Sequence, residues 1–566
     1  MTINELIEIK NKHYPRIKIR EGISGQKYCN EIDINSPKEV LICAGAGCSA
    51  QGSEKLLDIF RDKIKQYNLS DKINVLLVGC VGLCSKGPNV VVYPDCVGYV
   101  HVRECDVEKI VTSHFRDNII PKDLVYDEEI EGDKIKILNE TPFYKNQMKI
   151  TLRNCGTIEL ENIDEYIAHD GYFALAKCVT ELKPEDSLNE VLKSNIRGRG
   201  GAGFPAGRKW SSTARVEADQ KFIVCNADEG NPGATMDRAI MEGDPHSVLE
   251  GMAIAGYSVG ASKGFIYVRA EYPTAIERLR LAIKQAKEYG CLGNNIFGSN
   301  FSFDIELRLG AGAFVCGEST ALMESIEGKR GMPRPKIYRT AEKGLWGKPT
   351  VLNNVETLSN IPGIIRNGGS WYASIGTENS TGTKVFSLDG KVNNTGLVEV
   401  PMGITVKEMV YDIGGGIRNG KKFKGMLTGG PAGGCVPSDY LDTHLDFDSL
   451  KQYDSILGSG DMIVLDEDDC MVDVARYFMD FTVEESCGKC VPCREGTKRM
   501  LETLERVMAG KGKKSDLNRL ESLTDTIHSA SLCGLGQSAC TPVISTMRHF
   551  RKEYEDKISG GNNDKI

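Results

Sequence analysis

Hydrophobic and polar positions along the chain change their period several times, and each change marks a different kind of unit. Residues 1–35 are polar and helix-prone with few apolar positions, and read as an N-terminal arm. Within 36–120, EVLICAGAGC is a strand entering a glycine-rich turn and residues 53–67 have helical spacing. NVLLVGC is a second strand, and NVVVYP with VGYVHV makes a hairpin-like pair. This is a small α/β unit of roughly thioredoxin size. The charged stretch 121–147 is the expected linker. In 148–383 apolar strands (KFIVCNAD, GFIYVRAE, FDIELRLGAGAF) alternate with helical segments such as TAIERLRLAIKQAKEYG, which predicts a mainly parallel sheet covered by helices. Between 384 and 465 the strands TKVFSLDGKV, GLVEVPMGI and KGMLTGG surround a short helix at VKEMVYDIG, a compact α+β domain of ubiquitin type. From 466 to 555 apolar spacings of three and four predict a helical bundle, and 556–566 is expected to be a disordered tail. The fold class is therefore multidomain α/β.

Composition narrows the function classes. Apolar content of 40% and charged content of 26% are ordinary for a globular protein. A net charge of −8 gives no reason to expect nucleic acid or an anionic membrane as partner. No apolar run approaches the ~18–20 residues that a membrane helix needs. The opening MTINELIEIKNKHYP lacks an apolar secretion segment, so a cytoplasmic location is expected. Nineteen cysteines in such a compartment point to metal or redox chemistry rather than disulfides.

Eight of the nineteen cysteines fall into two groups. Cys43-x4-Cys48 followed by Cys80-x3-Cys84 offers four thiolates from two loops, each just after a strand. Short loops holding Gly45, Gly47, Gly79, Gly82 and Gly87 let a backbone curl around a [2Fe–2S] cluster. Buried structural cysteines or zinc are the alternatives, although zinc pairs are usually closer. Cys487-x2-Cys490-x2-Cys493 is more specific: two successive x2 gaps wrap three thiolates around one face of a cubane, and a remote fourth closes it. Cys533 is the natural fourth and Cys540 its competitor. Cys225 and Cys316 read as core hydrophobes. Cys470, Cys540, His528 and His549 share the helical unit and form a candidate zinc set.

Between the cysteine groups lie four polar loops. IRGRGGAGFPAGRKW (196–210) is glycine-rich and cationic, so its backbone amides can approach a phosphate; many such loops are simply turns. CNADEGNPG, GAGAFVCGEST and VLNNVET each place small or polar residues where a strand ends, which is where ligands bind in open α/β sheets. Together they call for a flat, phosphate-bearing cofactor, with Asn226, Asp228, Glu229, Asn353 and Asn354 supplying donors and acceptors. Asp228 and Glu229 could instead be helix-starting acids.

On these motifs the chain resembles the NADH-binding flavoprotein subunit of respiratory complex I over about 36–550. It is nearest to the beta subunits of soluble electron-bifurcating [FeFe]-hydrogenases and nucleotide-linked formate dehydrogenases. The resemblance implies a thioredoxin-like ferredoxin domain, a Rossmann-like FMN/nucleotide domain, a ubiquitin-like (SLBB-type) domain and a helical [4Fe–4S] domain. It implies FMN held by Gly198, Arg199, Gly200, Lys209, Asn226, Asp228, Glu229, Gly317, Glu318, Asn353, Asn354 and Thr357. Phe204 would stack on the nucleotide, Lys336 would lie near its phosphates, and Cys487, Cys490, Cys493 and Cys533 would hold the [4Fe–4S] cluster. The family's second glutamate after Glu318, which binds the adenosine ribose, is Ser319 here. Arg339 and Ser212 replace aromatics, Arg208 is gained, and Asn231 stands where an acid is common. Losing a carboxylate and gaining a guanidinium suits a ribose 2′-phosphate, hence NADP(H) over NAD(H). The implied activity is an NAD(P)H dehydrogenase subunit that exchanges hydride with FMN and electrons with iron–sulfur clusters. Its implied partners are a small thioredoxin-like [2Fe–2S] subunit, ferredoxin, and a large iron–sulfur catalytic subunit of hydrogenase, formate dehydrogenase or transhydrogenase type. A standalone diaphorase and a flavin-less cluster scaffold are the competing functions.

Overall fold

The structure, a computed structural model, describes residues 1–20, 37–127, 130–132 and 134–560. Parts of the expected arm (21–35) and tail (561–566) lie outside the described residues.

Three sheets organise the chain. The first has strands β1 (Lys38–Cys43), β2 (Ile73–Val78), β3 (Val90–Tyr93) and β4 (Val97–Tyr99) in the order β2-β1-β3-β4. β1 and β2 are parallel, and the expected hairpin β3–β4 is antiparallel. After a two-residue ladder, β5 (Ile130–Glu131) with β6 (Lys134–Ile135), comes the second sheet. Its strands β7 (Phe222–Ala227), β8 (Lys263–Arg269), β9 (Asp304–Gly310) and β10 (Thr350–Asn354) run in the order β10-β7-β8-β9, every pair parallel. The third sheet comprises β11 (Thr383–Gly390), β12 (Gly396–Pro401), β13 (Phe423–Thr428), β14 (Gly434–Pro437) and β15 (Asp461–Asp466). Its order is β12-β11-β15-β13-β14, with β11 and β15 parallel and the other pairs antiparallel.

Parallel strands need cover on both faces, and the second sheet is covered by apolar helices. Pro245–Val259 is the innermost, buried along nearly its whole length. Asp244 caps it by accepting from the Ser247 amide, and a polar side chain within it is fully paired. Glu250 accepts from the Tyr166 hydroxyl (2.6 Å) and from the amides of Tyr172 and Leu175 (2.9 and 3.0 Å).

At three places the structure adds what the sequence pattern does not show. The N-terminal segment is a helix, Ile3–Arg20, whose few apolar positions suffice to dock it: Leu6 and Ile17 are buried in the core of the parallel-sheet unit. Its last residue, Arg20, is buried between Glu165 (2.7 and 2.8 Å) and Glu39 (3.1 Å), tying the helix to both the first and second units. The charged stretch 121–147 is not a free connector. Leu124, Val125 and Ile135 enter the core of the first sheet, while Tyr126 and Phe143 enter that of the third. Isolated apolar residues among charges anchor the segment there. Finally, the C-terminal helices are Met471–Glu485, Thr497–Met508, Lys514–Ala530, Thr541–His549 and Arg551–Gly560. The last extends past 555 because Tyr554 is buried and Ile558 packs on the bundle core. No described helix is long and apolar enough to cross a membrane.

Arg20→Ala would strand two buried carboxylates. Removing one partner of such a pair costs about 3–5 kcal/mol. The opening free energy of the 3–20 helix, read from amide hydrogen exchange, should fall by that amount.

Candidate functional site

The parallel strands end together, and the loops leaving β7, β9 and β10 meet the glycine loop around a cavity of about 610 Å³. Gly200, Asn226, Asp228, Glu229, Gly317, Glu318 and Asn354, all named from the sequence, line it. The Asn226 side-chain amide donates to the Gly317 carbonyl (2.9 Å) and its oxygen accepts from the Asp228 amide (3.1 Å), joining two loops. Gly200 sits so close to Asn354 that a Cβ would stand 3.1 Å from the asparagine Cβ. On its wall Asp228 Oδ1 is buried without a hydrogen-bond partner, and Asn353 Nδ2 is unpaired behind the wall; a buried unpaired polar group calls for a partner. Arg269 lies 3.5 Å from Asp228 Oδ1 but is not aligned to bond it. Burial pushes the Asp228 carboxyl up to about 7, with Arg269 opposing.

Other expected residues stand behind the wall. The Gly198 amide donates to the Phe204 carbonyl (2.9 Å), closing the loop, and the Arg199 amide donates to Thr357 Oγ1 (2.9 Å). The Arg199 guanidinium points away from the cavity. Fully buried, it donates to the carbonyls of Arg197, Thr381 and Thr383 and to the Tyr372 hydroxyl. Asn353 accepts from the Trp210 indole (2.8 Å). Glu229 is a helix-starting acid: its oxygens accept from the amides of Asp237 (2.9 Å) and Arg238 (3.0 Å) at the head of helix Met236–Gly243. Glu318 likewise caps helix Ser319–Ile326 and pairs with Lys336 at 2.8 Å. Asn231 bonds Ser459 and Asp461 (both 3.0 Å), so it joins the second and third units and lines the first cavity.

A second cleft of about 1300 Å³ adjoins the first across Glu318–Ser319. Phe204, Lys209, Ser319, Lys336 and Arg339 line it, as do Arg208 and Ser212. Sequence reasoning missed Arg215, Arg334 and Lys343, although the basic run RPKIYRTAEK was visible. Glu342 is the one carboxylate on its lining. Burial lowers the Lys209 ammonium, with Lys336 adding to the effect. Also unforeseen were the walls that the third sheet and the bundle give the first cavity, notably Gly429, Gly458, His528 and Gln537.

Cys43, Cys48, Cys80 and Cys84 converge on a cavity of about 250 Å³, with thiol contacts running Cys48–Cys43–Cys80–Cys84. Gly45 and Gly87 press against it: a Cβ on either would meet Cys80 or Cys48 within 3.0 Å. Contact with Cys48 lowers the Cys43 thiol while Cys80 and burial raise it, leaving it at about 12. Crowded thiols of this kind are relieved when a metal takes them as thiolates. Cys487, Cys490, Cys493 and Cys533 line a separate, smaller space. Burial, opposed by Ser486 and aided by the other three cysteines, pushes Cys493 up to about 11. Cys540 is packed in the bundle core against Thr524. The candidate zinc set does not assemble: His528 bonds the Gln537 carbonyl and His549 packs on Tyr440. Among the described residues no group of three or more His, Cys, Asp or Glu is set to hold a single metal ion. Each cysteine quartet borders a space between loops.

Residues 191–363 match the family described as the Nuo51 FMN-binding domain, and 473–557 match the NADH-ubiquinone oxidoreductase-F iron-sulfur binding region. The HndC component of the NADP-reducing hydrogenase of Solidesulfovibrio fructosivorans is 57% identical over 414 residues, 73% of this chain and 84% of that one. An F-type subunit of the NADH-quinone oxidoreductase of Rhizobium meliloti (strain 1021) is 44% identical over 405 residues, 72% of this chain and 96% of the other. The crystal structure of an NAD+-reducing [NiFe]-hydrogenase in the H2-reduced state superposes with a TM-score of 0.65 at 27% identity, over 92% of this chain and 84% of that chain.

The cavity geometry separates the two competitors for the fourth position. Cys533→Ser should abolish the four-iron signal in electron paramagnetic resonance and lower bound iron and sulfide, whereas Cys540→Ser should leave both unchanged.

Proposed function

The chain belongs to the family that unites the F-type subunits of NADH-quinone oxidoreductases with the HndC component of NADP-reducing hydrogenase, and from that premise we propose how its residues divide the work of an NAD(P)H–FMN–iron–sulfur oxidoreductase subunit. The observation that carries the reading is the first cavity, where Asp228 Oδ1 is buried on the wall without a hydrogen-bond partner inside the FMN-binding match. Its donor set suits FMN: glycines admit a flat ring, and Asn226, Asp228, Glu229 and Asn354 surround polar ring edges and hydroxyls. When bound there, FMN would supply hydride acceptance from a nicotinamide and release of electrons one at a time. The chain itself orients and encloses. Gly200, Gly317 and Glu318 shape the wall, while Gly198, Arg199, Asn353 and Thr357 hold the loops that form it. Lys209, at the border with the cleft, is placed for phosphate. No acid or base need act on the substrate.

In the cleft, Phe204 is placed to stack on a nucleotide and Lys336 to meet its phosphates. We assign the cleft to NADP(H). Ser319 leaves its wall without the carboxylate that a ribose 2′-phosphate would repel, and Arg208 and Arg339 offer guanidiniums. Asn231 takes no part in this choice, because it faces Ser459 and Asp461.

Cys43, Cys48, Cys80 and Cys84 are proposed to hold a [2Fe–2S] cluster, and Cys487, Cys490, Cys493 and Cys533 the [4Fe–4S] cluster. The strand orders support a thioredoxin-like unit at 36–120 and a β-grasp unit at 384–465, flanking an FMN/nucleotide unit at 148–383 and preceding the cluster bundle. The chain would work in the cytoplasm inside a multi-subunit complex. A small [2Fe–2S] subunit, ferredoxin and a large iron–sulfur catalytic subunit of hydrogenase, formate dehydrogenase or transhydrogenase type would accept or divide its electrons.

Steady-state reduction of an artificial acceptor tests the nucleotide assignment. A charge-assisted hydrogen bond is worth about 1.5–3 kcal/mol, so Arg339→Ala should lower kcat/KM for NADPH by about 10–100-fold at a tenfold per 1.4 kcal/mol. NADH should change little, and Ser319→Glu should move the ratio the same way. A wild type that prefers NADH, with the ratio unmoved in both variants, would overturn the NADP(H) assignment.

A further inference from the structure

Behind the first cavity lies a cluster that its binding role does not use. Glu229 and Asp237 line the cavity, and Glu356 stands behind them at the head of helix Val355–Asn367; all three are at least nine-tenths buried. They share one buried cation, the ammonium of Lys384, which pairs with Glu356. Backbone bonds lock the set: Glu229 accepts from the amides of Asp237 and Arg238, Asp237 accepts from the Glu356 amide (3.2 Å), and Glu356 accepts from the Val385 amide (2.9 Å). The Asn354 side-chain amide also donates to Asp237. On the same cavity wall Asp228 Oδ1, on a side chain 2% exposed, has no hydrogen-bond partner, so the cluster borders a space built for a polar ligand.

We propose that Glu229 and Asp237 share an exchangeable proton beside the Glu356–Lys384 pair, and that they bind one further proton from solvent when negative charge enters the adjoining cavity. The proposal rests on the assignment of that cavity to FMN. Three ionised carboxylates against one ammonium would bury a net negative charge, which costs several kcal/mol per unpaired ion. Holding a proton is the cheaper state. Burial accordingly raises Glu229 to about 7 and Asp237 well above the usual carboxylate range. The surroundings do not supply a second cation at the carboxylates. Arg238 turns its guanidinium to Glu242, and Tyr272 gives its hydroxyl to the Glu229 carbonyl. On the third sheet Asp461 is held by Asn231 and Ser459, and Glu399 by the amides of 150–152 and Thr383. Arg199 is spent on carbonyls and Tyr372, and Cys225 on β7 is buried and uncharged. An electron pair held in the cavity therefore adds negative charge beside an under-compensated cluster, and a carboxylate oxygen takes a proton that enters from water at the cavity mouth.

The test measures the midpoint potential of FMN in the purified full-length chain across neutral pH, in wild type and in Asp237→Asn. One extra proton per electron pair is a tenfold change in the equilibrium constant per pH unit, about 30 mV for a two-electron couple. The wild type should be steeper than Asp237→Asn by that amount. Its reduced-minus-oxidised infrared spectrum should gain a deuterium-sensitive carboxylic-acid C=O band that Asp237→Asn and Glu356→Gln lose. Equal slopes, or no such band in the wild type, would overturn the proposal, and the wild-type spectrum decides alone if the variants do not fold. A chain that purifies without flavin overturns the cavity assignment as well, whereas a flavin-loaded chain with equal slopes overturns this proposal only.

Discussion

One buried guanidinium fixes the geometry on which the site depends. Arg199 leaves the glycine loop in the direction opposite to the cavity and bonds carbonyls at the entry to the third sheet, together with the Tyr372 hydroxyl. A fully buried cation is tolerable only when its donors are matched in this way. The loop backbone is thereby fastened to β11, and the cavity between the parallel sheet and the third sheet keeps its width. Gly203 shows how closely the parts meet: it has φ +61, and a Cβ would strike the Phe447 ring at 2.7 Å.

The same fastening brings three separate spaces to one centre. The segment from Asn226 to Glu242 borders the first cavity at its start and the 43–84 cysteine cavity at its end, where Gly233, Thr235, Arg238 and Glu242 form the facing wall. On the other side Val315 and Leu535 line both the first cavity and the space enclosed by Cys487, Cys490, Cys493 and Cys533. A flavin in the middle would be separated from that second quartet by a wall one residue thick. The position of the first cysteine quartet depends on packing between units, which the helix Ile3–Arg20 and residues Leu124, Val125, Tyr126 and Phe143 supply.

Much of this was legible in the sequence because it is periodic or local. The parallel strands, the cysteine spacings and the loops at strand ends all carry short-range signals, and the strands lie where their apolar runs place them. What was not legible depends on distant partners. The resemblance names Arg199 among the residues that hold FMN; only the fold shows its side chain committed to Thr381 and Thr383. Glu229 reads from sequence as a cofactor-binding acid with helix-starting as the alternative, and the structure gives it the cap while leaving it on the cavity wall. Asn231 suggested a change in nucleotide preference, yet it touches Asp461, 230 residues away in sequence. The docking of the N-terminal helix and of residues in the charged stretch was not legible because two or three apolar residues give no periodicity, although they are enough to dock a segment on an existing core.

The proposed assignment puts a flavin between two iron–sulfur clusters on one polypeptide. The most direct measurement is flavin, iron and acid-labile sulfide content of the anaerobically purified chain, combined with electron paramagnetic resonance of its reduced form. The expected result is one FMN per chain, iron and sulfide for one two-iron and one four-iron cluster, and two distinguishable reduced-cluster signals. A chain without flavin, or one whose iron accounts for the four-iron cluster alone, would contradict it.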